Sequence, residues 1–318
     1  ALLSLCPAHA QTPLRAVDQL ARDLGVTELW VKDERHRMGL GSFKALGAAY
    51  VIASAAAARA PEDWNTALAG KTYVTASAGN HGLSVAAGAR LFGATAVIFI
   101  SETVPAAFEE RLAGYGARVV RAGTDYEASM VAAADTAQRE GWTLLSDSSW
   151  PGYTEPAMRV MQGYLQMAAE AADQIPAAPT HIFLQAGVGG LAAAVAVYAR
   201  KVWANAPQIL VVEPSEAPAL YESIRAGGLV QTTGGVSAMG RLDCKTASLV
   251  ALKGLSRDAD AFVLISEAEA EDGVAVLHRH GLDTTPSGGA GLAALIAGLD
   301  LPPDARVLTF LSEGPEDG

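Results

Sequence analysis

A lysine placed at the opening of a helix is the first chemically suggestive choice in this chain. Met38-Gly39-Leu40-Gly41-Ser42-Phe43-Lys44 leads into an Ala-rich stretch, so Lys44 falls against the positive end of the helix dipole, where a cation costs a few tenths to about 1 kcal/mol. A lysine whose pKa is lowered by positive surroundings is a better Schiff-base nucleophile; a solvated lysine is the plainer alternative. The segment Thr75-Ala76-Ser77-Ala78-Gly79-Asn80-His81-Gly82 runs from a strand end into the next helix. Gly79 and Gly82 admit close backbone approach, and Ser77, Asn80 and the helical amides offer donors to an anion such as a carboxylate. An ordinary capped turn would read the same way, and His81 alone is more often structural than catalytic.

A third loop, Gln185-Ala186-Gly187-Val188-Gly189-Gly190-Leu191-Ala192, lies between a strand and a helix, where several N–H groups converge on a phosphate. It also fits G-x-G-x-x-A, with Glu213 at the end of the next strand, about where a ribose-binding acid stands in a dinucleotide fold. An NAD- or FAD-binding oxidoreductase is therefore a competing reading, although it leaves Lys44 and the Ser77 to Gly82 loop without a task. Two further strand ends carry polar groups: Thr309-Phe310-Leu311-Ser312-Glu313-Gly314, which places the Ser312 hydroxyl and a carboxylate at the sheet edge facing the cleft, and Asp147 in Leu145-Ser146-Asp147-Ser148-Ser149-Trp150. A turn residue and an Asx-turn or N-cap are the structural alternatives. The acidic run Glu313 to Asp317 reads most simply as solvated. The cysteines and histidines show no metal-ligand spacing, since His278 and His280 are two apart on an expected helix and point in different directions; no metal site is expected.

Short β-branched runs bounded by Gly, Ser or Pro alternate with Ala-rich helical stretches, the pattern of βαβ units feeding a mainly parallel sheet. Nine strands are expected, at Leu29–Lys32, Tyr73–Thr75, Ala96–Ile100, Arg118–Arg121, Thr143–Leu145, Ile182–Leu184, Ile209–Val212, Phe262–Ile265 and Val307–Phe310. Helices are expected at Ala48–Ala60, Leu83–Phe92, Ala106–Tyr115, Tyr126–Glu140, Glu155–Ala172 and Gly190–Trp203. The Pro-containing stretch Gln174 to Pro179 and the loop from Asp147 to Pro151 divide the chain into a large domain of residues 1–47 and 151–318 and a smaller α/β domain of residues 48–150. The expected fold is thus α/β and two-lobed, with mainly parallel open sheets, helices on both faces and a cleft at the carboxyl ends of the strands.

The 318 residues suffice for such cores. Half are hydrophobic, yet no run approaches the roughly 20 apolar residues a membrane-spanning helix requires. Lys plus Arg total 23 against 34 for Asp plus Glu, a formal charge of -11, which argues against a nucleic-acid surface or a polybasic membrane anchor. A small-molecule substrate is the expected partner. Two cysteines, Cys6 and Cys244, exclude a disulfide scaffold and suit a cytoplasmic setting. The opening Ala1 to Pro7 is too short for a secretory signal, and the missing initiator Met makes a preceding segment an expectation.

Taken in chain order, Ser42-Phe43-Lys44, Ser77-Ala78-Gly79-Asn80-His81, Gly187 to Gly190 and Ser312 resemble the threonine dehydratase-like fold (fold type II) of pyridoxal-phosphate enzymes. Within that group the likeness is strongest to diaminopropionate ammonia-lyase and its relatives. It rests on Leu29-Trp30-Val31-Lys32-Asp33-Glu34, Phe43-Lys44-Ala45-Leu46-Gly47, Asp147 to Tyr153 leading to Met161-Gln162-Gly163-Tyr164, and Met239-Gly240-Arg241-Leu242-Asp243-Cys244. The resemblance implies pyridoxal 5'-phosphate, held covalently by Lys44 after Phe43, with Lys44 then the base at the substrate Cα. It further implies that Asn80 bonds the phenolic oxygen of the cofactor and that Gly187, Val188, Gly189 and Gly190 bind its phosphate. Ser312 would face the ring nitrogen, and Ser77, Ala78, Gly79 and His81 would meet the substrate carboxylate. A serine cannot keep that nitrogen protonated as a carboxylate would, which suits β-elimination. Asp147 matches the acidic residue of the family near the β-substituent. The expected reaction is α,β-elimination from a β-substituted L-2-amino acid of the 2,3-diaminopropionate type, giving a 2-oxo acid and ammonia. Ala78 departs from the ammonia-lyase, which has an aspartate there, and matches the dehydratases of 3-hydroxy amino acids; that activity is the alternative. A homodimer is expected.

Overall fold

The chain folds, in a computed structural model that describes residues 2–315, into two sheets with helices on both faces. Ala1, and Glu316 and Asp317 of the acidic run, lie outside the described residues. In order the elements are β1 (Leu14–Ala16), α1 (Asp18–Asp23), β2 (Glu28–Asp33), α2 (Ala45–Ala57), β3 (Thr72–Ala76), α3 (Asn80–Leu91), β4 (Thr95–Ile100), α4 (Ala106–Gly114), β5 (Arg118–Arg121), α5 (Tyr126–Glu140) and β6 (Thr143–Leu144). They continue with α6 (Glu155–Gln174), β7 (His181–Gln185), α7 (Gly190–Trp203), β8 (Gln208–Pro214), α8 (Ala219–Ala226), α9 (Leu249–Asp258), β9 (Ala261–Ile265), α10 (Glu267–Arg279), α11 (Pro286–Ile296) and β10 (Arg306–Leu311).

The larger sheet runs β1-β2-β10-β7-β8-β9 and the smaller β5-β4-β3-β6. Every pairing is parallel except that of the edge strand β1 with β2. All nine expected strands are present. Strand β1 was not legible because Leu14-Arg15-Ala16 is three residues long, alternates nothing and lies half in solvent. Helix α2 begins at Ala45, three residues before the expected start, and gives out before Ala60, which sits at φ 44. Helices α8, α9 and α11 have no long Ala-rich run to mark them, and α10 is the helix expected at His278, with His280 just beyond its end. Helix α10 carries an explicit start signal: the Ser266 hydroxyl and the Glu269 carboxylate each accept the other residue's backbone amide, forming a capping box.

The strands of the smaller sheet all come from residues 72–144, and α2 packs against both α3 and α6. Its residues are buried on nearly every side, as its composition of Ala, Leu, Ile and Gly allows. Parallel strands end on one edge, so β2, β10 and β7, which are neighbours, deliver their following loops side by side. Strands β3 and β6 do the same in the smaller sheet.

The loop after β2 is anchored by a buried ionic cluster. Glu34 and Arg37, charged residues of that loop, are fully buried. The Arg37 guanidinium bonds Glu34 at 2.7 Å and Glu170 of α6 at 2.7 Å, and Lys32 reaches Glu170 at 2.9 Å. The Thr12 hydroxyl donates to Glu34 at 2.6 Å. Two cations thus face two carboxylates, which lets four charges leave water together. Beyond them the backbone passes through positive φ at Met38, Gly39 and Gly41 before reaching Lys44.

Burial alone would raise the Glu170 carboxyl, but its bonds from Arg37 and Lys32 bring it down to about 2. A depressed carboxylate contributes stability above its ordinary value of 4.5 and loses it as the pH falls towards about 2. Glu170→Gln should therefore cost about 3–5 kcal/mol at neutral pH, because it leaves a buried cation without its partner. It should also flatten the loss of stability between pH 4.5 and 2. Urea melts across that range test both effects, and parallel curves for the two proteins would exclude Glu170 as the source.

Candidate active site

Lys44 stands immediately before α2, as the N-cap residue with no side-chain cap. Its Nζ lies 2.5 Å from Oδ2 of Asp147, which follows β6, so the pair joins the loops of the two sheets. Burial would lower the lysine, yet the charge and hydrogen bond of Asp147 hold it above its ordinary value. This corrects the expectation of a lysine depressed by positive surroundings: the nearest strong charge is negative. Burial would likewise raise the Asp147 carboxyl, and the Lys44 charge, aided by His81, instead holds it well below the carboxylate range. Asp147 is fixed from behind by Tyr153. The Ser146 amide donates to the phenol oxygen at 2.9 Å, and the phenol donates to the Leu144 carbonyl at 3.0 Å. Trp150 stacks on the Tyr153 ring at 4.4 Å.

The turn after β3 brings Ser77, Ala78 and Gly79, all partly exposed, to the same cleft. It folds tightly over the start of α3: a Cβ on Gly82 would lie 2.1 Å from the Ser77 carbonyl oxygen, so only glycine fits. Asn80 is the first residue of α3, and its Nδ2 donates to Oε2 of Glu313 at 2.5 Å. His81 points elsewhere. Its buried ring bonds the Leu145 carbonyl through Nε2 at 2.8 Å, and burial lowers its pKa, with the charge of Asp147 acting against that.

Glu313 stands at the end of β10 facing the cleft, as one reading of its strand-end place expected, and not in a solvated tail. It is buried, and its carboxylate accepts Asn80 and the Thr285 hydroxyl and pairs with the Arg241 guanidinium at 3.0 Å. Burial pushes its carboxyl up, against the pull of Arg241 and Thr285. Its place directly after Ser312 on a strand end was the available signal. Arg241 stood in a quoted motif without a role. Ser312 itself is buried, with its amide on the Gly288 carbonyl at 3.2 Å and its carbonyl accepting the Phe43 amide at 3.0 Å. The Lys44 segment is thereby tied to the end of β10. A cavity of about 510 Å³ opens beside these groups, against Gly79, Arg241, Thr285 and Ser287.

The loop of Gly187, Val188, Gly189 and Gly190 follows β7. Gly189 is the N-cap of α7 at φ 98, with no side chain capping the helix, which leaves the first-turn amides to a ligand. A Cβ on Gly189 would meet Leu220 at 3.0 Å and Ala251 at 3.1 Å, so its Cα backs onto apolar packing. Glu213, the expected ribose-binding acid, is fully buried and accepts the Leu220 and Tyr221 amides at 2.7 Å each. It caps α8 and faces no cleft, which removes the acidic partner on which the dinucleotide reading depended. Burial pushes its carboxyl up to about 7. Among the described residues no group of three His, Cys, Asp or Glu side chains is placed to hold a metal ion, and no helix is long and apolar enough to cross a membrane.

Comparison with known proteins agrees in fold and extent. The family described as pyridoxal-phosphate dependent enzyme matches residues 5–313. Diaminopropionate ammonia-lyase of Escherichia coli (strain K12) is 33% identical over 342 aligned positions, which span 97% of this chain and 85% of that protein. The crystal structure of diaminopropionate ammonia-lyase from Escherichia coli in complex with an aminoacrylate-PLP azomethine reaction intermediate superposes with a TM-score of 0.88. It is 31% identical and covers 99% of this chain and 89% of that one. L-serine dehydratase/L-threonine deaminase of Mus musculus is 29% identical over 293 positions, 90% of this chain and 83% of that protein.

The ion pair makes a direct prediction about Lys44. Asp147→Asn removes the charge that holds the amine up and leaves burial to pull it down, so the Lys44 titration midpoint in the ligand-free protein should fall. NMR of reductively ¹³C-methylated lysines, assigned with a Lys44→Arg control, reads the shift. An unmoved midpoint would mean that Asp147 does not set the charge of Lys44.

Proposed function

The chain belongs to the pyridoxal-phosphate dependent enzymes, and from that premise we propose that it is a lyase for α,β-elimination from a β-substituted L-2-amino acid, of the 2,3-diaminopropionate ammonia-lyase type. The observation that carries this reading is the Lys44 amine 2.5 Å from an ionised Asp147 at the meeting of the two sheets. The residues present fit the cofactor. Lys44 is partly exposed, α7 starts on uncapped amides behind a glycine, and Asn80 and Ser312 stand at the neighbouring loop ends.

In this proposal Lys44 holds pyridoxal phosphate covalently, Asn80 meets its phenolic oxygen, the Gly187 to Gly190 amides meet its phosphate and Ser312 faces its ring nitrogen. When bound, the cofactor supplies an electron sink for the carbanion formed at the substrate Cα. Ser77, Ala78 and Gly79 receive the substrate carboxylate at the start of α3. His81 braces that turn through its bond to Leu145. Once its amine is released, Lys44 takes the Cα proton at Nζ.

Asp147 then acts at the β-substituent. As a carboxylate it attracts a 3-ammonium group electrostatically. When Lys44 gives up its proton, Asp147 can take it at Oδ2 across the 2.5 Å contact, because burial favours the protonated form once the lysine charge is gone. A 3-ammonium group leaves as ammonia with the proton it already carries, whereas a 3-hydroxyl leaves as water by taking the proton held at Oδ2. Ala78 favours a second reading, a dehydratase of 3-hydroxy amino acids, and the mouse relative is named for such a reaction.

The division into a domain of residues 1–47 and 151–318 and another of residues 48–150 belongs to the same proposal, as do a homodimer and a cytoplasmic setting. The free state of Cys6 and Cys244 supports a reducing compartment, and light scattering on the purified protein decides the oligomer.

Borohydride reduction of the loaded protein should fix a pyridoxyl group on Lys44, read by peptide mapping; an unmodified Lys44 in an active preparation rejects the assignment. Asp147→Asn should lower turnover by about 10²–10⁴-fold, the usual contribution of a positioned acid or base. Because Ala78 supplies no acid or base, 2-oxo acid release should be much faster from L than from D isomers. Comparable rates for the two enantiomers of 2,3-diaminopropionate would overturn the one-base arrangement, and a faster reaction of L-serine or L-threonine would select the dehydratase reading.

A further inference from the structure

Tyr164, in the middle of α6, is 2% exposed, and its hydroxyl has no hydrogen-bond partner among the described residues. A phenylalanine would fill the same volume without burying an unpaired polar group, so the hydroxyl calls for a ligand. Its surroundings say which kind. The ring packs edge-on against Phe43, the residue before Lys44, at 4.8 Å between centroids. A Cβ on Gly47, in the first turn of α2, would lie 2.7 Å from Cε1 and 3.0 Å from Cζ of the ring; one on Gly190, the first residue of α7, would lie 3.4 Å from Cε2. The hydroxyl-bearing end is therefore wedged between two helix starts, neither of which has a side-chain cap.

Two helix N-termini present partial positive charge to one point, and that of α7 adds unshared N–H groups, whereas the first amides of α2 bond back to the Ser42, Phe43 and Lys44 carbonyls. A protonated hydroxyl beside them completes a donor set for an anion. Burial, reinforced by the negative charge of Asp147, raises the Tyr164 pKa well above its ordinary value, so the group remains a donor. Glycine at both contact positions is what allows the ring to stand there.

We propose that the Tyr164 hydroxyl donates a hydrogen bond to the phosphate of the bound cofactor, extending the cradle formed by the Gly187 to Gly190 loop. This rests on the reading of the family cofactor as bound at Lys44, and the experiment separates the two. Apoprotein of the parent and of Tyr164→Phe is titrated spectroscopically with pyridoxal 5'-phosphate and, in parallel, with pyridoxal, which lacks the phosphate. The variant should bind pyridoxal 5'-phosphate about 10- to 100-fold more weakly, as expected for a lost hydrogen bond to a charged group. Its affinity for pyridoxal should stay within about twofold of the parent. The apo variant should melt no lower than the parent, because the hydroxyl it loses was unpaired.

Equal weakening towards both ligands, or none towards either, overturns the phosphate contact. So does a lower melting temperature of the apo variant, which would reveal a partner within the protein. If the parent itself binds neither ligand at Lys44, the underlying reading of the site fails first, and the Tyr164 assignment falls with it.

Discussion

Strand β10, the last of the described chain, pairs with β2 on one side and β7 on the other, and the position of the site follows from that double pairing. Parallel neighbours end on a common edge, so the loop that carries Lys44, the Ser312-Glu313 end and the Gly187 to Gly190 loop emerge together. The Phe43 amide on the Ser312 carbonyl is the local consequence, a direct tie between the segment that follows β2 and the end of β10. The smaller sheet answers with the ends of β3 and β6, and its two contributions, the Ser77 to Asn80 turn and Asp147, are neighbours for the same reason.

Two polar contacts then span the sheets. Lys44 with Asp147, and Asn80 with Glu313, each draw one partner from the larger sheet's loops and one from the smaller's. Their energetics are shared rather than separate. Asp147 is ionised in spite of burial because Lys44 is charged, so any event that neutralises the lysine alters the acid. Glu313 accepts hydrogen bonds from Asn80 and Thr285 beside the Arg241 charge and holds the Asn80 amide in one orientation, since a carboxylate only accepts and must face the NH₂ side. The ionic cluster around Glu170 plays the supporting part at a distance. It fixes both ends of the short charged turn before the positive-φ backbone that delivers Lys44.

Composition and periodicity carried the alternation of strands and helices, because a buried parallel strand must be a short apolar run and an Ala-rich helix costs least. Strand-end glycines and hydroxyls marked Lys44, Asn80, Gly189 and Ser312, since close approach of backbone to a ligand restricts which residues fit. Those are local constraints, and one chain segment is enough to express them. Burial is not local. Glu213 and Glu313 are both acids at strand ends, yet one turns back to cap α8 and the other meets Asn80 and Arg241 in the cleft. Glu34 and Arg37 are charged residues of a loop and yet enclosed, because Arg37 also bonds Glu170 on α6, more than a hundred residues away. The charge of Asp147 and the unpaired hydroxyl of Tyr164 likewise depend on which helices and strands end beside them. Residue type and spacing determined the elements and the candidate loops; the order of strands in the two sheets decided which side chains face one another, because electrostatic and hydrogen-bond partners are chosen by distance in space.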